Sequence, residues 1–123
     1  MDAVRDPNDS EGLMDLISCG AHIVFLVTGR GNVVGSAVSP CIKITGNRET
    51  FRRMNGDMDF DASPVLYGEC TQDEQADRLM DYVVQVAKGN LSKGEELGHR
   101  EYFVPYKYQE KEVAFRKCEK TEI

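Results

Sequence analysis

The residues best suited to chemistry lie where an apolar strand runs into a glycine-rich loop. Residues 28–35 read TGRGNVVG. This GxGxxxG spacing differs from the dinucleotide fingerprint, and no Gly-Lys-Ser/Thr follows, so neither a dinucleotide site nor a Walker loop is predicted. Backbone amides in such a bare loop can approach a small anion, and the Arg30 guanidinium can bind a carboxylate or phosphate through two hydrogen bonds. The alternative is a tight strand exit that carries a surface arginine.

Two polar residues after this loop could complete an anion site. Lys43 lies between Ile42 and Ile44 in a predicted strand and therefore points away from both. If both faces of the sheet are covered, its ammonium needs an anionic partner, either a substrate or an internal carboxylate; if one face is solvated, Lys43 is an ordinary surface residue. Asn47 starts a short predicted helix, where it acts as an N-cap or contributes to an anion site at the helix start.

Three carboxylates occupy alternate positions, at Asp57, Asp59 and Asp61. In an extended segment they share one side, an arrangement that suits a hard cation, although the glycine turn and terminal glutamate of an EF-hand are missing. Two alternatives are a solvated acidic edge and ion pairs with nearby arginines, namely Arg48, Arg52 and Arg53.

The sequence contains two histidines, His22 and His99. His22 starts a strand and is interpreted as structural, whereas His99 is the better candidate for catalytic acid–base chemistry. The alternative for His99 is an exposed loop position. Four cysteines, at positions 19, 41, 70 and 118, form no CxxC pair, and we interpret them as reduced, partly buried thiols rather than zinc ligands.

The elements that would position these residues alternate between helices and strands. We predict a helix capped by Asn8 and ended by Gly20, strands over 21–28 and 41–45, a short helix from Asn47 to residues 55–56, a brief strand at 65–67, a helix over 72–88 and a linker over 91–99. Because strand 21–28 is almost entirely apolar, we expect it to be parallel, central and covered on both faces. In the long helix the predicted buried face consists of Ala76, Leu79, Met80, Val83 and Ala87.

The predicted fold class is α/β, with a mostly parallel sheet of three to five strands and helices on its faces, Rossmann-like but without the dinucleotide fingerprint. At 123 residues one domain is expected. We place it at residues 10–108, after a linker or interrupted start at 1–9 and before a charged tail at 109–123. Residues 102–108 are predicted to form an extended arm.

Bulk composition limits the function classes. A net charge of −6 and a pI near 4.9 argue against nucleic-acid binding. No apolar run approaches the ~20 residues of a membrane span, and no signal peptide is visible, so we predict a cytoplasmic protein without membrane contact.

The string TGRGNVVGSAVSPCIKITGN, together with the later FRRMNGDMDFDAS and GEELGHREYF, resembles the C-terminal part of the altronate/galactarate dehydratase family. That family also includes the large subunit of sulfolactate sulfo-lyase, and the likeness covers about residues 20–106. It implies a lyase that removes water or sulfite from a 2-hydroxy sugar acid by β-elimination, assisted by a divalent metal, usually Fe²⁺. It also implies substrate contacts from Thr28, Gly29, Arg30, Gly31, Asn32, Lys43 and Asn47.

The same resemblance implies that much of the enzyme lies outside this chain. Family members carry an N-terminal domain and a larger middle region, or divide these parts between subunits. We therefore expect most metal ligands to lie elsewhere, the isolated fragment to be inactive, and the full enzyme to be a homo-oligomer. Two alternatives remain: a stand-alone binding module for sugar acids or phosphates, and a structural or oligomerisation domain marked by a large apolar surface.

Overall fold

Three parallel strands form the centre of the part of the chain that the computed structural model describes, residues 8–100. They are β1 (Val24–Val27), β2 (Cys41–Thr45) and β3 (Phe60–Asp61), in the order β1-β2-β3. The register places Leu26 opposite Lys43 and Ile44 opposite Phe60. The prediction of an α/β fold with a parallel sheet is confirmed.

Five helices accompany the strands within residues 8–100. They are α1 (Asp9–Ser18), α2 (Arg48–Arg53), α3 (Ser63–Leu66), α4 (Gln72–Ala87) and α5 (Lys93–Glu96). The predicted caps are present: the Asn8 side chain accepts a hydrogen bond from the Glu11 amide, and Thr71 forms a reciprocal capping box with Glu74. These local signals explain why the starts of α1 and α4 are predicted correctly.

The sheet is covered by different helices on its two faces. On one face, Leu13 of α1 packs in a cluster with Val24, Leu26 and Cys41. On the other, Val86 of α4 packs against the isoleucines Ile42 and Ile44 of β2. All five residues of β2 are buried, so β2 is the strand enclosed from both sides.

The position predicted for the first strand is wrong. β1 lies at one end of the strand order, and its residues alternate between buried and exposed. Phe25 is 47% exposed and Val27 is 73% exposed. An apolar sequence allows a strand to be buried on both faces. It does not ensure that a helix packs against each face, and the second face of β1 is left exposed.

The predicted strand at residues 65–67 is also wrong, since most of this segment belongs to α3. Pro64 occupies the first turn of that helix, where its missing amide costs nothing, and the Asp61 carboxylate accepts a hydrogen bond from the Ser63 amide at 2.9 Å. The predicted linker at 91–99 contains α5, which starts with a Ser92–Glu95 capping box. Of the predicted start at 1–9, residues 1–7 lie outside the described residues, as do the predicted arm at 102–108 and the predicted tail at 109–123.

The buried face of α4 is rotated from the predicted one. Ala76, Met80 and Ala87 are exposed, whereas the side chains directed inward are those of Gln75, Leu79, Tyr82, Val83 and Val86. Two of these are polar and have acceptors in the β3 segment: Gln75 donates to the Asp61 carbonyl and Tyr82 to the Asp59 carboxylate. Hydrophobic spacing alone does not reveal such polar anchors.

Within residues 8–100 no helix is long and apolar enough to cross a bilayer.

Candidate functional site

The first half of the glycine loop packs against α2. The Thr28 hydroxyl oxygen accepts a hydrogen bond from the Gly31 amide at 3.2 Å, and the Thr50 hydroxyl donates to the Gly29 carbonyl at 2.8 Å. Gly31 has φ +91°, and a Cβ there would overlap the sulfur of Met54. The predicted residues Thr28, Gly29 and Gly31 therefore have defined structural contacts at the carboxyl end of β1.

Two further loop residues differ in their surroundings. Arg30 is exposed and forms no hydrogen bond or ion pair with residues 8–100. Asn32 is partly buried; its side-chain oxygen accepts from the Val34 amide at 2.9 Å and its side-chain nitrogen donates to the Asp9 carboxylate. Among the described residues no group occupies the Arg30 donors, while both polar atoms of Asn32 are engaged within the fold.

Asn47 is the N-cap of α2. Its side-chain oxygen accepts from the amides of Glu49 and Thr50, at 3.0 and 3.3 Å. The capping interpretation is confirmed, and a substrate contact by Asn47 stays a prediction.

Lys43 is the most unusual predicted site residue in the structure. Its side chain is 0% exposed in the middle of β2, and its Nζ forms no hydrogen bond with residues 8–100. An ammonium enclosed in this way is costly unless it meets an anion or a hydrogen-bond acceptor. The interpretation of Lys43 as an ordinary surface lysine is therefore wrong.

One glycine lies beside the end of this lysine, and a second glycine and a histidine contact that glycine. A Cβ built on Gly94 would lie 3.7 Å from Lys43 Nζ and 3.6 Å from the Gly35 Cα atom. A Cβ on Gly35 would lie 2.5 Å from the His99 carbonyl oxygen, and the His99 amide donates to the Gly94 carbonyl at 2.8 Å. We call these four residues, Gly35, Lys43, Gly94 and His99, the Lys43 pocket.

His99 supplies a second unsatisfied group to the Lys43 pocket. Its Nδ1 is buried and, like Lys43 Nζ, has no hydrogen-bond partner among residues 8–100. Native proteins pair nearly all buried polar atoms, so two that lack a partner among residues 8–100, in residues that both contact Gly94, require an explanation. The structure thus places the predicted acid–base residue and the predicted anion-binding lysine against the same glycine, Gly94.

The Asp59 carboxylate supports this pocket from outside. It accepts hydrogen bonds from the Lys43 amide at 2.8 Å, the Tyr82 hydroxyl at 2.9 Å and the Lys93 amide at 2.7 Å. Burial, and secondarily the charge of Asp59, raises the pKa of Tyr82, so this hydroxyl stays protonated as a donor. One carboxylate therefore joins β2, α4 and the start of α5.

The three aspartates do not form the predicted ion pairs, and within residues 8–100 the acidic and thiol groups do not form a metal site. Two of the predicted arginine partners pair with glutamates, Arg48 with Glu69 at 2.7 Å and Arg52 with Glu49 at 3.7 Å. Within residues 8–100 no ion pair joins any of the three predicted arginines to these aspartates, so that alternative is wrong. In residues 8–100 no three His, Cys, Asp or Glu side chains lie close enough to hold a metal ion. Cys41 is buried, and burial raises the pKa of its thiol to about 11.

Sequence reasoning did not connect Gly35, Asp59 and Gly94 with Lys43. Gly35 is the third glycine of the loop, but nothing local indicates that it contacts a segment 64 positions later. Asp59 is one of three similar aspartates, and only the fold shows which one accepts three hydrogen bonds. Gly94 belongs to GEELGH, a string in which only the histidine carries an obvious chemical signal.

Comparison with known proteins places this chain in a family. Residues 2–110 match the family described as D-galactarate/Altronate dehydratase, C-terminal. The chain is 38% identical over 85 residues, 69% of its length, to the (2R)-sulfolactate sulfo-lyase subunit beta of Chromohalobacter salexigens. It is 31% identical over 94 residues, 76% of its length, to the altronate dehydratase of Escherichia coli K12. The matched parts span 22% and 19% of those two relatives, about a fifth of each. The chain belongs to the D-galactarate/altronate dehydratase C-terminal family.

Proposed function

We propose that this chain is the C-terminal part of a lyase that removes water or sulfite from a 2-hydroxy acid, and that the Lys43 pocket serves this reaction. The observation that carries the proposal is a pair of buried polar atoms, Lys43 Nζ and His99 Nδ1, that have no hydrogen-bond partner among residues 8–100 and belong to two residues that both contact Gly94. The relatives of this chain include a sulfo-lyase subunit and a dehydratase, which supports this reaction class.

β-Elimination needs two groups of the kind that the pocket contains. When the C–H bond next to the carboxylate breaks, its electron pair moves toward the carboxylate, and a nearby cation such as the Lys43 ammonium stabilises the added charge. The bond to the leaving group then breaks; a hydroxyl leaves as water after taking a proton, whereas sulfite leaves with the bonding electrons. We assign both proton transfers to His99: its imidazole accepts the proton from the C–H bond and, in a dehydration, donates it to the departing hydroxyl.

The glycine loop fits the same proposal as a second contact region. Arg30 is exposed and free of partners among residues 8–100, so its guanidinium is available for an anionic or hydroxyl group at the far end of a sugar acid. Thr28, Gly29, Gly31, Asn32 and Asn47 would shape that region. Gly29 has nothing within 4 Å of its missing Cβ, which leaves its backbone open to a ligand.

The divalent metal implied by the resemblance does not fit the described residues alone, since they contain no cluster of three ligands. We therefore assign the ligands of an Fe²⁺ ion to other domains or subunits of the complete enzyme, and no step above depends on it. The exposed Phe25 and Val27 support contact with such parts, whether in one polypeptide or in a homo-oligomer. A cytoplasmic location remains part of the proposal.

The test is the kinetics of Lys43→Met and His99→Gln in the complete enzyme, with altronate, galactarate and sulfolactate as substrates. We expect each variant to lower kcat/KM by at least about 100-fold, the usual scale for loss of a proton-transfer or charge-stabilising group. Lys88→Met, at an exposed lysine that ends α4, is the matched control and should behave like the wild type. Full activity in Lys43→Met would contradict the proposal.

A further inference from the structure

We propose that the uncovered surface between β1 and α4 is the docking site for an amphipathic helix with a basic border, supplied by a part of the complete enzyme outside these 123 residues. We call this surface the β1–α4 groove. Its floor is formed by Phe25 and Val27 and its wall by Ala76, Met80 and Val84. The inference rests on one part of the proposed function, namely that this chain belongs to a larger enzyme.

The floor of the groove is the face of β1 that no helix covers in the described part of the chain. Leu13 of α1 packs on the opposite face, against Val24 and Leu26. Because side chains alternate along a strand, Phe25 and Val27 lie on the face that carries α4, and both are exposed. On that face α4 covers β2, so β1 is left without a helix.

The wall of the groove is the side of α4 that faces β1. Gln75 and Tyr82 point toward the other edge of the sheet, since they donate to the Asp61 carbonyl and the Asp59 carboxylate in the β3 segment. Because β2 lies between β3 and β1, the opposite side of the helix is directed toward β1. That side carries a stripe of exposed apolar residues at helical spacing, namely Ala76, Met80, Val84 and Ala87.

A helix is the element that completes this face. Ile23, just before β1, packs against the cluster that contains Val86 of α4, so the strand and the helix adjoin at one end of the groove. Neighbouring helices pack roughly 8–10 Å apart, and α4, with 16 residues, offers a wall about 24 Å long. A second helix beside α4 would cover Phe25 and Val27 and bury the exposed Met80.

The border of the groove is acidic. Asp73, Asp77 and Asp81 follow α4 at four-residue spacing, on the solvent side of the apolar stripe. None of them forms an ion pair with another of the described residues. This row favours a partner whose apolar face is bordered by lysine or arginine, whereas a second copy of the same groove would bring like charges together.

The relatives show where such a helix can come from. The matched parts span 22% of the sulfo-lyase subunit and 19% of the dehydratase, so most of each relative lies outside the matched region. We therefore assign the docking helix to the corresponding remainder of the complete enzyme.

The experiment places the photo-crosslinking amino acid p-benzoylphenylalanine at Met80 in the complete enzyme and identifies the crosslinked peptide by mass spectrometry. The matched control carries it at Gln85, an exposed residue about 140° around α4 from Met80. We expect at least tenfold more crosslinked product from position 80, joined to a peptide from outside the 123 residues that has a helical apolar period flanked by lysine or arginine. Adding Asp77→Lys should lower that yield at least threefold, whereas adding Gln85→Lys should not change it.

The other outcomes separate this inference from the proposed function. Crosslinks from position 80 only to a second copy of these residues, or only to residues 101–123, would overturn the inference. Equal yields from positions 80 and 85 would overturn it as well, since the stripe would then be an ordinary solvated surface. None of these results changes the kinetics of Lys43→Met, which test the proposed reaction separately. Full activity in Lys43→Met would contradict the reaction and leave the docking site standing.

Discussion

Among individual residues, Asp59 best shows how one side chain organises a site that it does not enter. Its two carboxylate oxygens serve a strand amide, a helix amide and a tyrosine hydroxyl, from Lys43, Lys93 and Tyr82. Hydrogen bonds to a charged acceptor contribute more than neutral ones, and all three donors would lose their partner together. Asp59 is therefore a positioning residue for the Lys43 pocket.

Asp59→Ala should lower the free energy of unfolding by about 3 kcal/mol, because it leaves three partly buried donors unsatisfied. Urea denaturation followed by circular dichroism measures this directly. Asp57→Ala is the matched control; its carboxylate accepts no hydrogen bond from residues 8–100, and its loss should change stability by less than about 0.5 kcal/mol. Equal effects of the two substitutions would show that Asp59 does not hold these elements together.

At this scale the sequence predicted residue types better than their partners. The sequence alone singles out both Lys43 and His99. Lys43 is a cation between two isoleucines, and His99 is the better of the two histidines as a candidate for catalysis. That they share a pocket depends on a contact between Gly35 and His99, which no local pattern records. Likewise, only the fold distinguishes Asp59 from its neighbouring aspartates.

Among the elements, the glycine loop and α2 form one unit. Thr50 and Met54 of this segment contact the backbone at Gly29 and Gly31, so the helix fixes the course of the loop. The positive φ of Gly31 and the sulfur of Met54 each oppose a side chain at position 31. Two separate causes can therefore be tested by separate substitutions.

Gly31→Ala should lower the free energy of unfolding by about 2 kcal/mol or more, from backbone strain and from overlap with Met54. In Gly31→Ala/Met54→Ala the overlap is removed. The double variant should therefore lose less free energy of unfolding than the sum of the losses in the two single variants. Denaturant titration of the single and double variants completes this cycle. Simple additivity would mean that Met54 does not restrict position 31.

Elements with strong end signals were predicted well, and elements without them were not. Capping residues mark the starts of α1, α2 and α4, and β2 has an alternating polar position at Lys43. α3 has only four residues, and its Val-Leu pair has no clear period, so the brief apolar run was interpreted as a strand. α5 lies in a polar stretch that has no hydrophobic period, and its Ser92–Glu95 capping box is the local signal for a helix there.

For the whole molecule, one thiol and one phenolic hydroxyl, those of Cys41 and Tyr82, make the free energy of unfolding depend on pH in the alkaline range. The pKa of Cys41 is raised from 9.0 to about 11 by burial, and that of Tyr82 is raised for the same main reason. Above pH 9 the unfolded chain releases the Cys41 proton that the folded chain still holds, so fewer protons are bound in the unfolded state and stability falls with rising pH.

We expect the free energy of unfolding to decline between pH 9 and pH 11, and to decline less steeply in Cys41→Ala. Urea titrations at half-unit pH steps provide both slopes. The alanine variant should also be less stable at pH 7, because it leaves a small void beside Leu26, and the comparison therefore concerns the slope alone. Parallel slopes would show that Cys41 does not cause the alkaline loss.

The complete enclosure of Lys43 has a consequence for the timing of binding. No solvent reaches its side chain, so a ligand can arrive beside Nζ only after surrounding residues move apart, and we expect this at the seam between α5 and the loop at Gly35. The opening rate of that seam then sets a ceiling on association: the observed binding rate rises with substrate concentration at first and then levels off. The same seam delays departure, so a slowly entering substrate would also be a slowly escaping one.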